Sequence, residues 1–147
     1  MKCPFCRSTH TEVYNTRATK FGTQLWRRRR CQACHEAFTT YEAADLGFIQ
    51  VSAQNASRTP YSRARLYAGV AAAFQGQKAT SITVDAITDT VESKLLELKT
   101  RSFTTQQISA IILTTLKHFD TSAFLRYLAG HAELSTNAEL KRQLKNY

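Results

Sequence analysis

Proline and glycine are scarce in this chain, 2 and 5 of 147 residues, which excludes collagen-like repeats and Pro/Gly-rich disorder. No run of about 18 consecutive apolar residues occurs, and the opening MKCPFCRSTH lacks the apolar stretch of a signal peptide. Neither a membrane span nor secretion is expected, which places the chain in the cytoplasm. Acidic residues are few: 11 Asp and Glu face 20 Lys and Arg, for a net charge of +9. That surplus favours a polyanionic partner, nucleic acid before an acidic membrane surface. His-Glu-x-x-His, a P-loop, Gly-x-Ser-x-Gly and the kinase His-Arg-Asp signature are all missing, so no enzyme and no catalytic residues are expected.

Cysteine is absent beyond position 34, and what there is forms two pairs, Cys3-x-x-Cys6 and Cys31-x-x-Cys34. A two-residue spacer lets one tight turn aim two sulfurs at a single ion, and Zn²⁺ takes four thiolates tetrahedrally. The pairs are 24 residues apart, longer than the usual ~15 to 20, and a hairpin can fill that length. A redox pair or idle thiols are the alternatives. Zinc is favoured because a segment too small for an apolar core needs a staple. A closed Cys₄ shell leaves no open coordination position, so the metal is expected to be structural. His10 and His35 lie close to the pairs, but with the shell complete they are expected outside it. Arg7 and His35 follow the second Cys of each pair, where such a turn prefers glycine for its positive φ.

Trp26-Arg27-Arg28-Arg29-Arg30 runs into the second pair. In a strand, alternate residues leave opposite faces, so Arg27 and Arg29 share one face and Arg28 and Arg30 the other. Arginine forks onto phosphate oxygens and guanine edges, and Trp26, Tyr14 and Phe21 can stack or pack beside it. A solvated edge strand is the bland alternative. Four thiolates with Zn²⁺ remove only two units of positive charge, so the surplus survives and Arg27, Arg28, Arg29 and Arg30 are read as DNA-binding.

The pattern divides near Ala43 to Gly47. Residues 1–46, with β-prone stretches at Glu12–Thr16, Gln24–Arg30 and Ala37–Glu42, read as a zinc ribbon. Residues 48–131 open with one short strand, FIQVS, and turn helical. Pro60 and Ser62 introduce a helix through Leu66, Val70 and Phe74. Thr83, with Ile82 and Ile87 as a hydrophobic staple, starts a second carrying Val84, Val91, Leu95 and Leu98 to about Lys99. Thr104 and Gln107 form a capping box stapled by Phe103 and Ile108, ahead of Ile111, Ile112, Leu116 and Phe119. Asp120 caps a fourth helix with Ala123, Phe124, Tyr127 and Leu128. Residues 132–147 read as a charged helical tail begun by Thr136 and Glu139. The expected fold class is α+β: a Cys₄ ribbon followed by a mainly helical domain.

CPFC at the start, the Arg-rich strand, the second Cys pair and FTTYE at Phe38 to Glu42 resemble the NrdR family, bacterial zinc-ribbon repressors of ribonucleotide reductase genes. DTSAFLRYLA at Asp120 to Ala129 is similar to a segment of the family's second domain, an ATP-cone. The resemblance implies a nucleoid-associated repressor of duplex promoter DNA that holds Zn²⁺, binds ATP or dATP in the cone and forms homo-oligomers. The family's cone carries V-x-K-R-D-G, then Pro-Phe and Lys-Leu. Here Val51 leads into Ala53, Gln54, Asn55 and Ala56, then Pro60-Tyr61 and Arg65-Leu66. The Lys-Arg pair that would face triphosphate is gone, leaving Arg58, Arg63 and Arg65 as candidate nucleotide-binding cations. Two outcomes stay open: adenine nucleotide is still sensed, or the cone survives only for oligomerisation. The competing function is a polymerase-associated or RNA-binding zinc ribbon with a non-sensing oligomerisation domain.

Overall fold

The computed structural model describes residues 1–19, 24–53, 57–76, 81–131, 141, 142 and 145. It falls into two compact units, Met1–Asp45 and Leu46–Tyr147. The first is a three-stranded antiparallel sheet of β1 (Thr11–Ala18), β2 (Gln24–Cys31) and β3 (Ala37–Ala43) in that order. All three β-prone stretches are strands. Trp26 faces Arg17 and Tyr41 in register, while β1 slips by one residue between Val13 and Asn15, so Tyr14 bulges out of the ladder. Among the described residues the apolar core of this unit is Cys3, Cys31 and Phe38, with Cys34 packed against them. So small a core cannot by itself hold a sheet whose other residues are exposed or half-buried.

The second unit begins with a 3₁₀ turn, Leu46–Phe48, and then β4 (Gln50–Ser52), β5 (Arg58–Pro60), α1 (Arg63–Ala73), α2 (Ser81–Glu97), β6 (Ser102–Thr104), α3 (Thr105–Phe119) and α4 (Thr121–His131). β4 lies between β5, antiparallel to it, and β6, parallel to it. The α+β class and the four helices agree with the sequence reading. Three details differ. FIQVS is a turn followed by strand rather than one strand, and β5 and β6 complete a small sheet that the pattern did not reveal. α2 is already helical at Ser81, and Ile82 is 77% exposed, so Thr83 is no cap and no staple forms. Ile82 falls two residues before buried Val84, on the far side of the helix. The stripes also end sooner: Leu98 lies beyond the last residue of α2, and it and Phe119 are exposed.

The remaining start signals hold. Ser62 caps α1 through the Arg65 N–H. At α3, Gln107 N–H donates to Thr104 Oγ1 at 3.1 Å while Thr104 N–H donates to Gln107 Oε1 at 2.8 Å, the reciprocal capping box. Phe103, just before it, is buried, and Ile108 packs against the same core. Asp120 closes α3 and opens α4, its Oδ1 accepting from Ala123 N–H at 2.7 Å. The core joins Val70 of α1, Ile87, Val91 and Leu95 of α2, Ile112 and Leu116 of α3, and Ala123 and Leu128 of α4. Each large aliphatic side chain removed from water here contributes about 1.5–3 kcal/mol. Phe21, Gln54, Asn55, Ala56 and the Thr136–Glu139 helix start lie outside the described residues.

Candidate functional site

The two cysteine turns are built alike. Cys3 C=O accepts from Arg7 N–H at 2.9 Å and Cys31 C=O from His35 N–H at 3.0 Å. Arg7 and His35 both have φ of 62°, the left-handed position where glycine was expected to be preferred. The turns bring all four Sγ atoms within 4.8 Å of one another. Cys3 Sγ lies 3.7 Å from Cys34 Sγ, and Cys6 Sγ 3.6 Å from Cys31 Sγ. A tetrahedron of Zn–S bonds of about 2.3 Å has edges of about 3.8 Å, so the thiols stand where one Zn²⁺ would hold them. The Cys34 backbone, with Ala33 N–H and the neighbouring thiols, draws the Cys31 thiol down to about 6 against the effect of burial. For Cys34 the Glu36 backbone also acts downward, but burial and the other three sulfurs push it up to about 12. Without a cation such a cluster ionises one thiol at the expense of the next; a divalent ion removes that conflict. His10 and His35 are exposed and outside the cluster.

The four arginines alternate as expected, but their surroundings differ. On one face Arg27 pairs with Glu42 at 3.1 Å, and Arg29 Nε donates to Thr40 Oγ1 at 3.1 Å. Buried Phe38 stands opposite Arg29. On the other face Arg28 Nε donates to Tyr14 Oη at 3.3 Å and Arg28 Nη1 to Thr39 Oγ1 at 2.9 Å. Arg30 lies 5.3 Å over the Tyr14 ring and Arg17 5.8 Å over Trp26. Tyr14 and Tyr41 are 52% and 66% exposed. This face therefore offers cations and open aromatic rings together.

In the second unit a cavity of about 370 Å³ opens among β4, β5, α1, α3 and α4. Its walls include Val51, Tyr61, Leu66, Ile108, Ile112 and Tyr127, with Thr59, Ser62 and Ser109 hydroxyls and Arg65 among them. The volume suits a small organic ligand. Of the candidate cations only Arg65 lines it, its Nη1 3.4 Å from Thr59 Oγ1. Arg58 is exposed on β5 and absent from the lining. Arg63 turns to α2, where it pairs with Asp89 at 2.7 Å, with Asp85 at 3.5 Å and with Glu92. Glu92 also accepts from Tyr61 Oη at 2.8 Å. Arg63 thus ties α1 to α2. Asp85, Asp89 and Glu92 recur at helical spacing, a signal in the sequence that a reading for anion-binding cations misses.

Residues 1–42 match the model of the NrdR-like transcriptional repressor N-terminal domain, and residues 49–129 match the ATP cone domain. A protein named transcriptional repressor NrdR from Dechloromonas aromatica is 39% identical over 127 residues, 86% of this chain and 82% of that protein. The chain belongs to the NrdR family. The NrdR proteins of Cupriavidus pinatubonensis and Cupriavidus necator are similar at 34% over 95% of the chain and 31% over its whole length, covering 90% and 95% of those relatives. The family's two modules thus occur here in order, the ribbon on the cysteine sheet and the cone on the helical unit. Among the described residues no helix is long and apolar enough to cross a membrane.

Proposed function

We propose that this NrdR-family chain is a transcriptional repressor rather than an enzyme. In this reading Cys3, Cys6, Cys31 and Cys34 hold a structural Zn²⁺, and the ribbon binds duplex promoter DNA on the nucleoid, with ribonucleotide reductase genes as the regulated set. One observation carries it: the Tyr14, Arg28 and Arg30 cluster beside Trp26 and Tyr41, on a sheet pinned by the cysteine turns. Arg28, Arg29 and Arg30 meet phosphate and base edges, while Arg27, neutralised by Glu42, makes the weaker contribution. Residues 1–46 act as the DNA-binding part, 48–131 as the cone and 132–147 as the tail. In this reading the cone also drives self-association, and Ile82, Leu96, Phe119 and Leu125 are exposed apolar side chains on it. Several ribbons in one assembly gain avidity on one DNA without new base contacts.

Band-shift titrations of the zinc-loaded chain against family-type promoter duplex, across a salt series, test this. Replacing Arg28 and Arg30 with Ala should flatten the slope of log K against log[salt] by about 1 for each phosphate left without its cation, and Arg27→Ala, whose charge Glu42 already offsets, should flatten it least. Tighter binding to single-stranded RNA than to the duplex would replace the repressor reading with the RNA-binding one. A monomer in light scattering at all concentrations would remove self-association.

A further inference from the structure

The cavity of the helical unit has the size of a nucleoside site but little of the charge of a triphosphate site. Among the described residues lining it, Arg65 alone carries a formal charge. Ala53 and Ser57 also stand on this wall, and neither carries a charge. Arg63, three residues past Pro60, is committed to the carboxylates of α2. One guanidinium forks onto one phosphate. Every further phosphate drawn in among the described lining residues would give up water with no second cation there in return. The rest of the wall, with the Tyr61 and Tyr127 rings beside Leu66, Ile108 and Ile112, suits a planar base. The first turns of α1 and α3 carry no acidic residue, so the Arg65 end is the anionic end.

We propose that this cavity binds an adenine nucleoside with at most one phosphate, the base against the tyrosine and aliphatic wall and the phosphate on Arg65, and that it does not favour the triphosphate. The assignment rests on reading the second unit as a nucleotide-binding cone. Gly69 supplies the means to block it: the residue lines the cavity, and a Cβ there would stand 4.0 Å from Tyr127 Cε2. Alanine therefore fits, and a larger side chain fills the space intended for the base.

Calorimetric titration of the full-length, zinc-loaded chain with adenosine, AMP, ATP and dATP decides the matter. AMP should bind at least as tightly as ATP and dATP. Arg65→Gln should weaken AMP to the level of adenosine and leave adenosine unchanged. Gly69→Leu should weaken both by about tenfold or more, with helical circular dichroism retained; Gly69→Val serves as the smaller blocking variant if leucine fails to fold and should weaken both in the same direction, while Gly69→Ala should bind both as the parent does. ATP or dATP binding about tenfold tighter than AMP would overturn the proposal, as would adenosine binding indifferent to Gly69, or no binding by any of the four. The repressor reading is judged separately, by promoter binding in the absence of nucleotide.

Discussion

Arg7 and His35 occupy equivalent places in the two cysteine turns, each one residue past a second cysteine and each at φ of 62°. An L-residue in that conformation carries a local cost that glycine avoids, partly offset by glycine's greater freedom in the unfolded chain. Arg7→Gly and His35→Gly are therefore expected to raise the stability of the zinc-loaded ribbon by about 0.5–1 kcal/mol each. Thermal melts followed at the sheet signal measure it; a loss of stability in both would mean that the side chains contribute more than the backbone strain costs.

Cys31→Ser should unfold the ribbon and leave the helical unit intact, since the ribbon's core among the described residues is three buried side chains and the units cluster separately. Helical circular dichroism retained alongside lost promoter binding and lost zinc stoichiometry is the expected pattern. Stripping zinc with a chelator should reproduce it reversibly. Full promoter affinity in the metal-free chain would contradict the structural role.

Tyr61 makes the helical unit sensitive to alkali. Burial and the bond to Glu92 raise its pKa above the ordinary 10.0, so the folded chain keeps a proton that the unfolded chain loses. Its contribution is complete below pH about 10 and declines as pH rises beyond it. Tyr61→Phe should lower stability near neutrality by about 1 kcal/mol and make the fall between pH 9 and 11 (roughly the span about the tyrosine value) shallower. Tyr127, also raised by burial, keeps a residual slope. An unchanged alkaline profile in the variant would exclude Tyr61 as its source.

Thr104→Ala removes one half of the α3 capping box and is expected to cost about 1 kcal/mol. Thr104→Ser should restore most of it. Urea unfolding of the two variants provides the comparison, and equal losses in both would show that the methyl group rather than the hydroxyl matters.

Signals carried by neighbours in sequence were readable. The paired cysteines, Ser62, the Thr104–Gln107 box and Asp120 each act within four residues, and each is found where the sequence places it. What escaped depends on distant partners. Arg58–Thr59–Pro60 and Ser102–Phe103–Thr104 have too few residues for an alternating pattern and become strands only because β4 lies between them. The two arginine faces follow from alternation alone, but which of them carries the rings does not. The bulge at Tyr14 shifts β1 by one residue and sets that ring against Arg28 and Arg30. Arg63 looked like a free cation because the carboxylates that hold it sit on another helix.

The parallel pairing of Gln50 with Ser102 and Ser52 with Thr104 encloses all of α1 and α2 in one loop of chain. Closing so long a loop costs entropy before the three-residue ladder returns anything. The helices are thus free to form by local contacts while the small sheet waits for the chain to come round. Because Val51 and Thr105, on or next to those paired strands, stand on the cavity wall, the cavity is expected to be completed late in folding. It is then expected to open early in unfolding, and a ligand held there would act as a clasp on the two ends of the loop, slowing unfolding more than it speeds folding.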